Sequence, residues 1–472
     1  MPVSKRFQPE TVHADLGDAF YDAVEPARFP EHLLRYRNQR AASSIGLDTL
    51  TDAEWIGHFG RFEPLPGSLP GPLALRYHGH QFRVYNADLG DGRGFLFAQC
   101  RDAQDGRLLD LGTKGSGQTP WSRRGDGRLT LKGGVREVLA TEMLEALGVD
   151  TSKSFSLIET GEALWRGDEP SPTRSSVLVR LSHSNIRIGT FQRLLYHDAH
   201  DDILRLVDHA VRYYLPEAAR ETAGERVTAF LEAVGRRVAA TGARWMLAGF
   251  VHGVLNTDNI NITGESFDYG PWRFAPVLDP GFTAAYFDET GLYAFGRQPD
   301  TLLWNMTRLA ECLLPFAPQA ALQRVLEGFA AEFRARFAGA MLDRLGLESA
   351  GEAADQELTG AVWRFLAETR MPFERFFFDW RGGLESERRA GASPSAETYH
   401  STAFAPVRSA LVAHPPRAGA LAHPYFDRAA PCTMLIDEVE AFWKPIAEAD
   451  DWSAFEAKLA EINEMRAALS PG

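Results

Sequence analysis

A change of sequence pattern near residue 181 constrains the fold of this chain more than any other feature. Residues 70–181 carry short β-prone runs, at 82–85, 94–98 and 176–180, set between glycine-rich turns. One helical pattern interrupts them at residues 134–147. From about residue 201 the apolar residues recur at helical spacing, over residues 203–214, 226–246, 302–314, 320–345 and 357–368. Strands followed by long helices predict an α+β fold.

The length of 472 residues is too great for one compact lobe, so we expect more than one structural unit. Residues 1–69 mix turn formers with short apolar pieces, which is typical of an extension packed on a larger body. We predict a β-rich N-lobe over residues 70–181 and a helical C-lobe with a C-terminal extension over residues 182–472. Residues 382–396 are rich in glycine, serine and charge, and predict an exposed loop.

The net charge of −13 argues against nucleic acid or an anionic membrane as a partner, because both favour a basic surface. Cys100, Cys312 and Cys432 have no metal-ligand spacing, and so few cysteines give no support to a disulfide framework. The N-terminus has no apolar signal region, and no apolar run approaches the roughly 20 residues of a membrane helix. We therefore expect a cytoplasmic protein.

The segment from His252 to Gly270 has the outline of a kinase catalytic loop followed by a metal-binding loop. Asn259 and Asp268 offer the amide and carboxylate oxygens that suit Mg²⁺. The kinase base would stand two residues after the histidine, where this chain has Val254, and a carboxylate comes at Asp258 instead. We expect ATP binding and a reaction other than ordinary phosphorylation, with Asp258 as proton acceptor. An Asx turn and a loop cap are the weaker alternative.

Two Gly-Asp-Gly-Arg turns are candidates for phosphate contacts. In the first, Gly90 and Gly92 let backbone N–H groups approach a phosphate, and Arg93 adds a charge-assisted contact. Taken alone, an ordinary hairpin turn explains this pattern better. The second turn, with Asp126 and Gly127, belongs to an arginine-rich segment that is either a clamp over a polyphosphate or a mobile polar loop.

Lys114 precedes a glycine-rich stretch that lacks the Walker order, so we interpret it as a phosphate contact at a strand end. Glu137, in the predicted helix, is placed to hold this lysine as a helical glutamate does in kinases. Arg180 and Arg187 flank a turn and would neutralise phosphate charge. Each of these residues alone would more often be a surface charge.

Seven motifs between Tyr77 and Leu314 match one family in order and spacing: YHGHQF, LGDGRG, TKGSGQTPWSRRGDGR, VREVLATEMLEALGV, VLVRLSHSNIRIGTF, HGVLNTDN and FDYGP. On these motifs the chain resembles the selenoprotein O family, protein adenylyltransferases with a pseudokinase fold. The resemblance implies a bilobal, protein-kinase-like fold that binds ATP in a flipped orientation. It also implies transfer of AMP to Ser, Thr or Tyr hydroxyls of proteins, with release of pyrophosphate.

The resemblance further implies roles for individual residues. Asp258 would be the proton acceptor, and Asn259 with Asp268 would bind Mg²⁺, or else Mn²⁺. Glu137 would be the partner of the nucleotide-binding lysine. The nucleotide contacts would come from Gly90, Gly92, Arg93, Lys114, Asp126, Gly127, Arg180, Arg187 and Asp268.

The chain also departs from the family pattern. It has TKGSGQTPWSR where LKGAGPTPYSR is common, and GGVRE where SSIRE or STIRE is common. A C-terminal pattern that resembles NPKYVLRNYLAQ corresponds here to APCTMLIDEVEA, without its basic residues and asparagines. No cysteine follows Cys432, so the sequence gives no support to redox regulation near the C-terminus.

Three hypotheses remain open at this point. The first is an adenylyltransferase that uses ATP and Mg²⁺, with UTP as an alternative donor that the sequence leaves open. The second is a phosphotransferase, against which Val254 counts. The third is a catalytically inactive nucleotide-binding scaffold, which would have no need for Asp258.

Overall fold

The computed structural model describes residues 3–167 and 169–470. Its strands lie almost entirely in the first 182 residues. In chain order they are β1 (Pro9–Glu10), β2 (Tyr21–Ala23), β3 (Leu33–Arg37), β4 (Leu73–Leu75), β5 (Gly79–Gln81), β6 (Val84–Asn86), β7 (Leu96–Arg101), β8 (Leu108–Lys114), β9 (Leu129–Thr130), β10 (Lys153–Leu164), β11 (Thr173–Ser182), β12 (Phe250–Val251) and β13 (Arg273–Phe274).

The α-helices lie mostly after residue 187, apart from two short N-terminal helices and one long helix among the strands. In chain order they are α1 (Gln39–Ser44), α2 (Asp52–Phe59), α3 (Leu131–Ala146), α4 (Ile188–Tyr196), α5 (His200–Tyr213), α6 (Ala223–Leu247), α7 (Gln298–Leu313), α8 (Gln319–Leu345), α9 (Glu352–Thr369), α10 (Phe373–Trp380), α11 (Glu387–Gly391), α12 (Ala396–Tyr399), α13 (Ala405–Leu411), α14 (Ile436–Ala449) and α15 (Ser453–Leu469).

Among the described residues, nine strands form one antiparallel sheet in the order β2-β4-β7-β8-β11-β10-β3, with β1 added to β7 and β9 to β11. The first 37 residues therefore supply three strands of this sheet rather than only covering it. An antiparallel sheet followed by helices confirms the α+β prediction. The division of the chain at residues 69 and 181 stays a prediction.

Two predicted segments were wrong in part. The run at 82–85 was expected to be a strand, but Phe82 and Arg83 form the turn between β5 and β6, with φ angles of 49° and 64°. The expected loop at 382–396 contains a 3₁₀ helix (Gly383–Ser386) followed by α11. Ser386 and Arg389 both donate side-chain hydrogen bonds to the carbonyl of Arg381, which folds this segment back on itself.

Helix α3 positions part of the site, and it packs across β10 and β11. A Cβ added at Gly134 would lie 2.4 Å from Leu157 Cδ1, so glycine permits this close approach. Position 134 lies in the GGVRE segment that departs from the family pattern. The other face of the sheet carries a separate core in which Trp55 stacks on Phe155 with ring centroids 4.7 Å apart.

The C-terminal ends of α3, α6, α8 and α15 meet around a cavity of about 780 Å³. Three arginines cap these ends. Arg244 donates to the carbonyl of Gly148 just beyond α3 (2.8 Å), Arg344 to the last carbonyl of α6 (3.2 Å) and Arg381 to the last carbonyl of α15 (3.4 Å). These arginines therefore donate hydrogen bonds to carbonyls at the helix C-termini, and their positive charge offsets the negative end of each helix dipole.

Candidate active site

A cavity of about 670 Å³ brings together most of the residues predicted to contact a nucleotide. Two predicted residues lie outside its wall: Glu137 stands behind Lys114, and Asn259 follows Asp258 in the chain. The predicted residues on the wall are Gly90, Gly92, Arg93, Lys114, Asp126, Gly127, Arg180, Arg187, Asp258 and Asp268.

Lys114 ends β8 and is buried, with its ammonium between two carboxylates. Its Nζ donates to Glu137 of α3 and, at 2.8 Å, to Asp268 Oδ1. Glu137 is 1% exposed, and its Oε2 has no hydrogen-bond partner among the described residues, although Arg180 lies 3.9 Å away. A cation held between two carboxylates in this way is fixed in position at the cavity wall.

Asp268 adopts a left-handed backbone with φ 62°, which is uncommon for a residue other than glycine. Its Oδ1 accepts hydrogen bonds from Lys114 and, at 3.3 Å, from Arg180. Burial would raise the pKa of this carboxyl, but Lys114, Arg180 and Arg187 together hold the pKa well below its usual range. Asp268 is therefore a carboxylate at neutral pH.

Arg187 precedes α4, and its guanidinium lies between two aromatic rings. The rings of Tyr77 and Phe267 lie 4.2 and 5.0 Å from its Cζ. One nitrogen donates to the carbonyl of Asp258 at 3.3 Å, and another lies 3.5 Å from Asp91 Oδ1. The side chain is thus held by stacking as well as by charge.

Asp258 lies in a 3₁₀ turn (Thr257–Asn259), and its Oδ1 is buried with no hydrogen-bond partner in the part of the chain that the structure describes. Burial raises the pKa of this carboxyl to about 6, while Arg187 opposes the rise. A polar atom that is buried and unpaired in a cavity is costly to the fold, and such atoms are often functional. Asp258 nevertheless lines the cavity, so its carboxyl group can contact a ligand there.

The β5–β6 hairpin holds the turn that carries Asp258. The backbone N–H of His80 donates to Thr257 Oγ1 (2.7 Å), which in turn donates to Gln192 Oε1 (2.6 Å). Gln192 Nε2 lies 2.7 Å from His80 Nδ1, so the three residues form a closed set of hydrogen bonds. Sequence reasoning used this hairpin only as part of the YHGHQF motif and assigned no role to Thr257 or Gln192.

The second Gly-Asp-Gly-Arg segment folds against the first through Trp121, which the sequence analysis did not single out. A Cβ added at Gly90 would lie 2.4 Å from Trp121 Cγ, so the ring occupies the space that a side chain there would need. Ser122 Oγ donates to the carbonyl of Gly92 at 2.6 Å, and Trp121 Nε1 donates to Asp22 at 2.9 Å. The turns thus form one wall rather than two independent loops.

This wall carries three exposed arginines beside charged residues that are in ion pairs. Arg93, Arg123 and Arg124 are exposed and form no ion pair with any residue that the structure describes. Asp126, by contrast, is held by Arg166 at 2.8 Å. An unpaired cluster of guanidinium groups suits a polyanionic ligand.

The donor set for a metal ion is limited to oxygen atoms. Asn259 donates from Nδ2 to the carbonyl of Val254 at 2.9 Å, and its amide oxygen accepts no hydrogen bond from any residue that the structure describes. In residues 3–167 and 169–470, no three His, Cys, Asp or Glu side chains are grouped to hold an ion by themselves. A bound Mg²⁺ would thus take further ligands from phosphate and water, as this ion prefers.

A Lys–Glu pair beside an arginine-rich cavity, in an α+β fold, defines a class of transferase that handles nucleotides. Residues 3–463 match the family model described as Protein adenylyltransferase SelO. The chain belongs to this family.

Curated relatives carry a related description. The chain is 45% identical over 455 residues to the "Protein nucleotidyltransferase YdiU" of Synechocystis sp., covering 93% of this chain and 94% of that protein. The protein of that name from Gloeobacter violaceus is 46% identical over 460 residues, covering 94% and 93%. The one from Vibrio vulnificus is 36% identical over 367 residues, covering 77% and 73%.

Membership of this family confirms the predicted class of enzyme, a nucleotidyltransferase. Among the described helices, none is long and apolar enough to cross a membrane. The three cysteines are buried and free.

Proposed function

We propose that this protein transfers AMP from ATP to Ser, Thr or Tyr hydroxyls of proteins and releases pyrophosphate. The observation that carries the proposal is the carboxylate of Asp258, which lines the same cavity as Lys114, Arg180 and Arg187. One group can accept a proton, and the other three can hold phosphate. Their combination suits attack by a hydroxyl on a phosphorus atom.

The proposed step exchanges one bond at the α-phosphorus for another. The acceptor hydroxyl oxygen bonds to that phosphorus, its proton passes to Asp258, and the bond to the β-phosphate oxygen breaks. Lys114, Arg180 and Arg187 would neutralise charge that builds up on the phosphate oxygens. Because they are already fixed by Glu137, Asp268 and aromatic rings, little reorganisation accompanies the step.

The flipped nucleotide implied by the resemblance would present its α-phosphate to the acceptor. Gly90, Gly92 and Gly127 would then offer backbone N–H groups, and Arg93 would contact the polyphosphate. Asp126 would help to shape the second turn through its pair with Arg166 rather than touch the phosphate.

The oxygens of Asn259 and Asp268 fit Mg²⁺ or Mn²⁺. When bound, such an ion would offset phosphate charge. Asp268 would serve both this ion and Lys114, since only its Oδ1 is used by the two cationic side chains. We further propose that the sheet and the helical part correspond to the two lobes of a protein-kinase-like fold.

The test uses α-³²P-ATP and γ-³²P-ATP in parallel, with Mg²⁺ and purified protein. We expect protein labelling from the α-position alone, and its loss in Asp268→Ala. Labelling from the γ-position would replace the proposal with a phosphotransferase, and no labelling from either would favour a scaffold. Competition between unlabelled ATP with Mg²⁺ and UTP with Mn²⁺ identifies the donor.

A further inference from the structure

An exposed aromatic and cationic surface lies beside the candidate base. Tyr286 and Phe287 are 80% and 46% exposed, and Val84 in β6 is 69% exposed. The Phe287 ring packs on Phe82 at the tip of the β5–β6 hairpin, with centroids 5.8 Å apart. Large apolar side chains that cluster at the surface of a protein mark interaction sites more often than single exposed ones do.

The backbone at the hairpin tip is strained, because the two residues there are neither glycine nor asparagine. Phe82 and Arg83 both have positive φ angles, the conformation of a two-residue turn that favours Asn-Gly. Backbone strain of this kind clusters at functional sites. The turn is nevertheless fixed, because Phe82 N–H donates to Asn256 Oδ1 at 3.1 Å and Tyr293 donates to the same oxygen at 2.7 Å.

This surface is continuous with the site. Gln81, directly before the tip, lines the same cavity as Asp258. A Cβ added at Gly79, in the same hairpin, would lie 2.9 Å from Asp258 Oδ1. Gln81 therefore connects the hairpin tip to the cavity that Asp258 lines, and a chain segment bound on the tip would enter that cavity with its hydroxyl.

The charge at the tip indicates what kind of segment would bind. Arg83 is exposed, lies 5.5 Å from the Trp304 ring and forms no ion pair with any described residue. Asp288, the buried carboxylate of the facing loop, already accepts from the backbone of Leu292 and Tyr293. Glu289 in that loop is exposed and carries the opposite charge. A preference for an acidic segment would therefore depend on Arg83, and it is tested separately from the apolar contact.

We infer that Phe82, Arg83, Val84, Tyr286 and Phe287 form the docking surface for the acceptor protein, and that it takes an extended segment with an apolar residue next to an acidic one. The inference rests on the proposed function, since it deepens the substrate class of the same site. Aromatic side chains supply the contact area, and Arg83 supplies the charge preference.

The test measures transfer from α-³²P-ATP to two synthetic peptides, each with one serine beside a leucine, in an acidic or a basic context. We expect a KM at least about tenfold lower for the acidic peptide. Arg83→Glu should remove this preference, and Tyr286→Ala should raise KM for both peptides. Tyr286 is so exposed that its loss leaves the core intact. The matched controls, Arg388→Glu and Val412→Ala, change exposed residues elsewhere and should have no effect.

Binding of fluorescent ATP should be the same in all these variants, because none of the changed residues lines the nucleotide cavity. Equal KM values for the two peptides, or an unchanged KM in Tyr286→Ala, would overturn the docking surface while the proposed function stands. Labelling of the protein itself without labelling of either peptide would also overturn the docking surface and leave the proposed function standing. A wild-type protein that transfers no α-label to anything would overturn the proposed function itself, and the surface with it.

Discussion

Gly79 lies against the carboxylate of Asp258, close enough that a Cβ at position 79 would be 2.9 Å from Oδ1. The same Cβ would be 3.1 Å from Leu89 Cδ1, so the added group could not turn away from the carboxylate into free space. The hairpin thus fixes Asp258 twice, by the hydrogen bond from His80 to Thr257 and by its closeness at Gly79.

Gly79→Ala should displace the Asp258 carboxylate without touching the phosphate-binding residues. We expect AMP transfer to fall by at least about tenfold, because small shifts of a reacting group are costly, and ATP affinity to change less than about twofold. Transfer rates and fluorescent-ATP titrations measure the two effects. Gly71→Ala is the control, since nothing lies within 4 Å of the Cβ it adds. Equal losses of transfer and of ATP affinity would contradict this role of Gly79.

Asp258→Asn keeps the size of the side chain and removes its ability to accept a proton. We expect AMP transfer to fall by about 10²- to 10⁴-fold, the usual contribution of a general base, while ATP still binds. Single-turnover transfer and ATP titration test this. Asp279→Asn is the matched control, because Asp279 pairs with Arg370 and lies outside the cavity. A variant of Asp258 that keeps full activity would exclude it as the base.

Gly90→Ala should force Trp121 away from the first phosphate-binding turn, since the added Cβ would lie 2.4 Å from Cγ of the ring. Overpacking of this kind typically costs 1–3 kcal/mol, so we expect ATP to bind about tenfold more weakly. Isothermal titration with ATP and Mg²⁺ measures the change. Gly328→Ala, where the new Cβ meets nothing within 4 Å, should bind ATP as the wild type does.

Stability should depend on pH through Glu265, which is 6% exposed. Burial, helped by the charge of Asp150, raises the pKa of its carboxyl to about 8 from a usual value of 4.5. The folded state therefore holds the proton more tightly, and this stabilising effect is lost as pH rises from about 4.5 through 8. Glu265→Gln should be more stable than the wild type at pH near 9, by at least about 1 kcal/mol, and equal to it near pH 4.

Urea unfolding of both proteins at these two pH values measures the difference in the free energy of unfolding. The amide of the variant can still accept the hydrogen bond from the His183 N–H that Glu265 Oε2 accepts at 2.9 Å. A constant difference between the two proteins at both pH values would show that the carboxyl does not titrate in this range.

The sequence predicted the elements whose pattern repeats over many residues. The helix expected at 226–246 is found as α6, because its apolar residues recur on one face over several turns, and the helix expected at 320–345 is found as α8. The Lys114–Glu137 contact was also anticipated, because a lysine at a strand end followed by a glutamate in a helix is the order found in kinases. Both inferences depend on spacing along the chain.

What the sequence could not predict depends on contacts between distant segments. Trp121 donates a hydrogen bond to Asp22, and Thr257 donates one to Gln192. The residues of each pair are far apart in the chain, so no local sequence pattern predicts the contact. The turn at Phe82 and Arg83 was mistaken for a strand because the run at 82–85 contains phenylalanine, valine and tyrosine, which are enriched in strands. The hydrogen bond from the Phe82 N–H to Asn256 holds the turn instead. Three-dimensional packing overrides local preference in each case.

The arginine caps at the far end of α3 have a consequence for how the enzyme is switched on. Tilting this helix outward would separate Arg244 from the Gly148 carbonyl and Arg466 from Glu142, leaving charges and carbonyls without partners. The Lys114–Glu137 pair should accordingly persist in the nucleotide-free protein. No rearrangement of α3 would then be needed to bring Glu137 to Lys114 before a nucleotide binds.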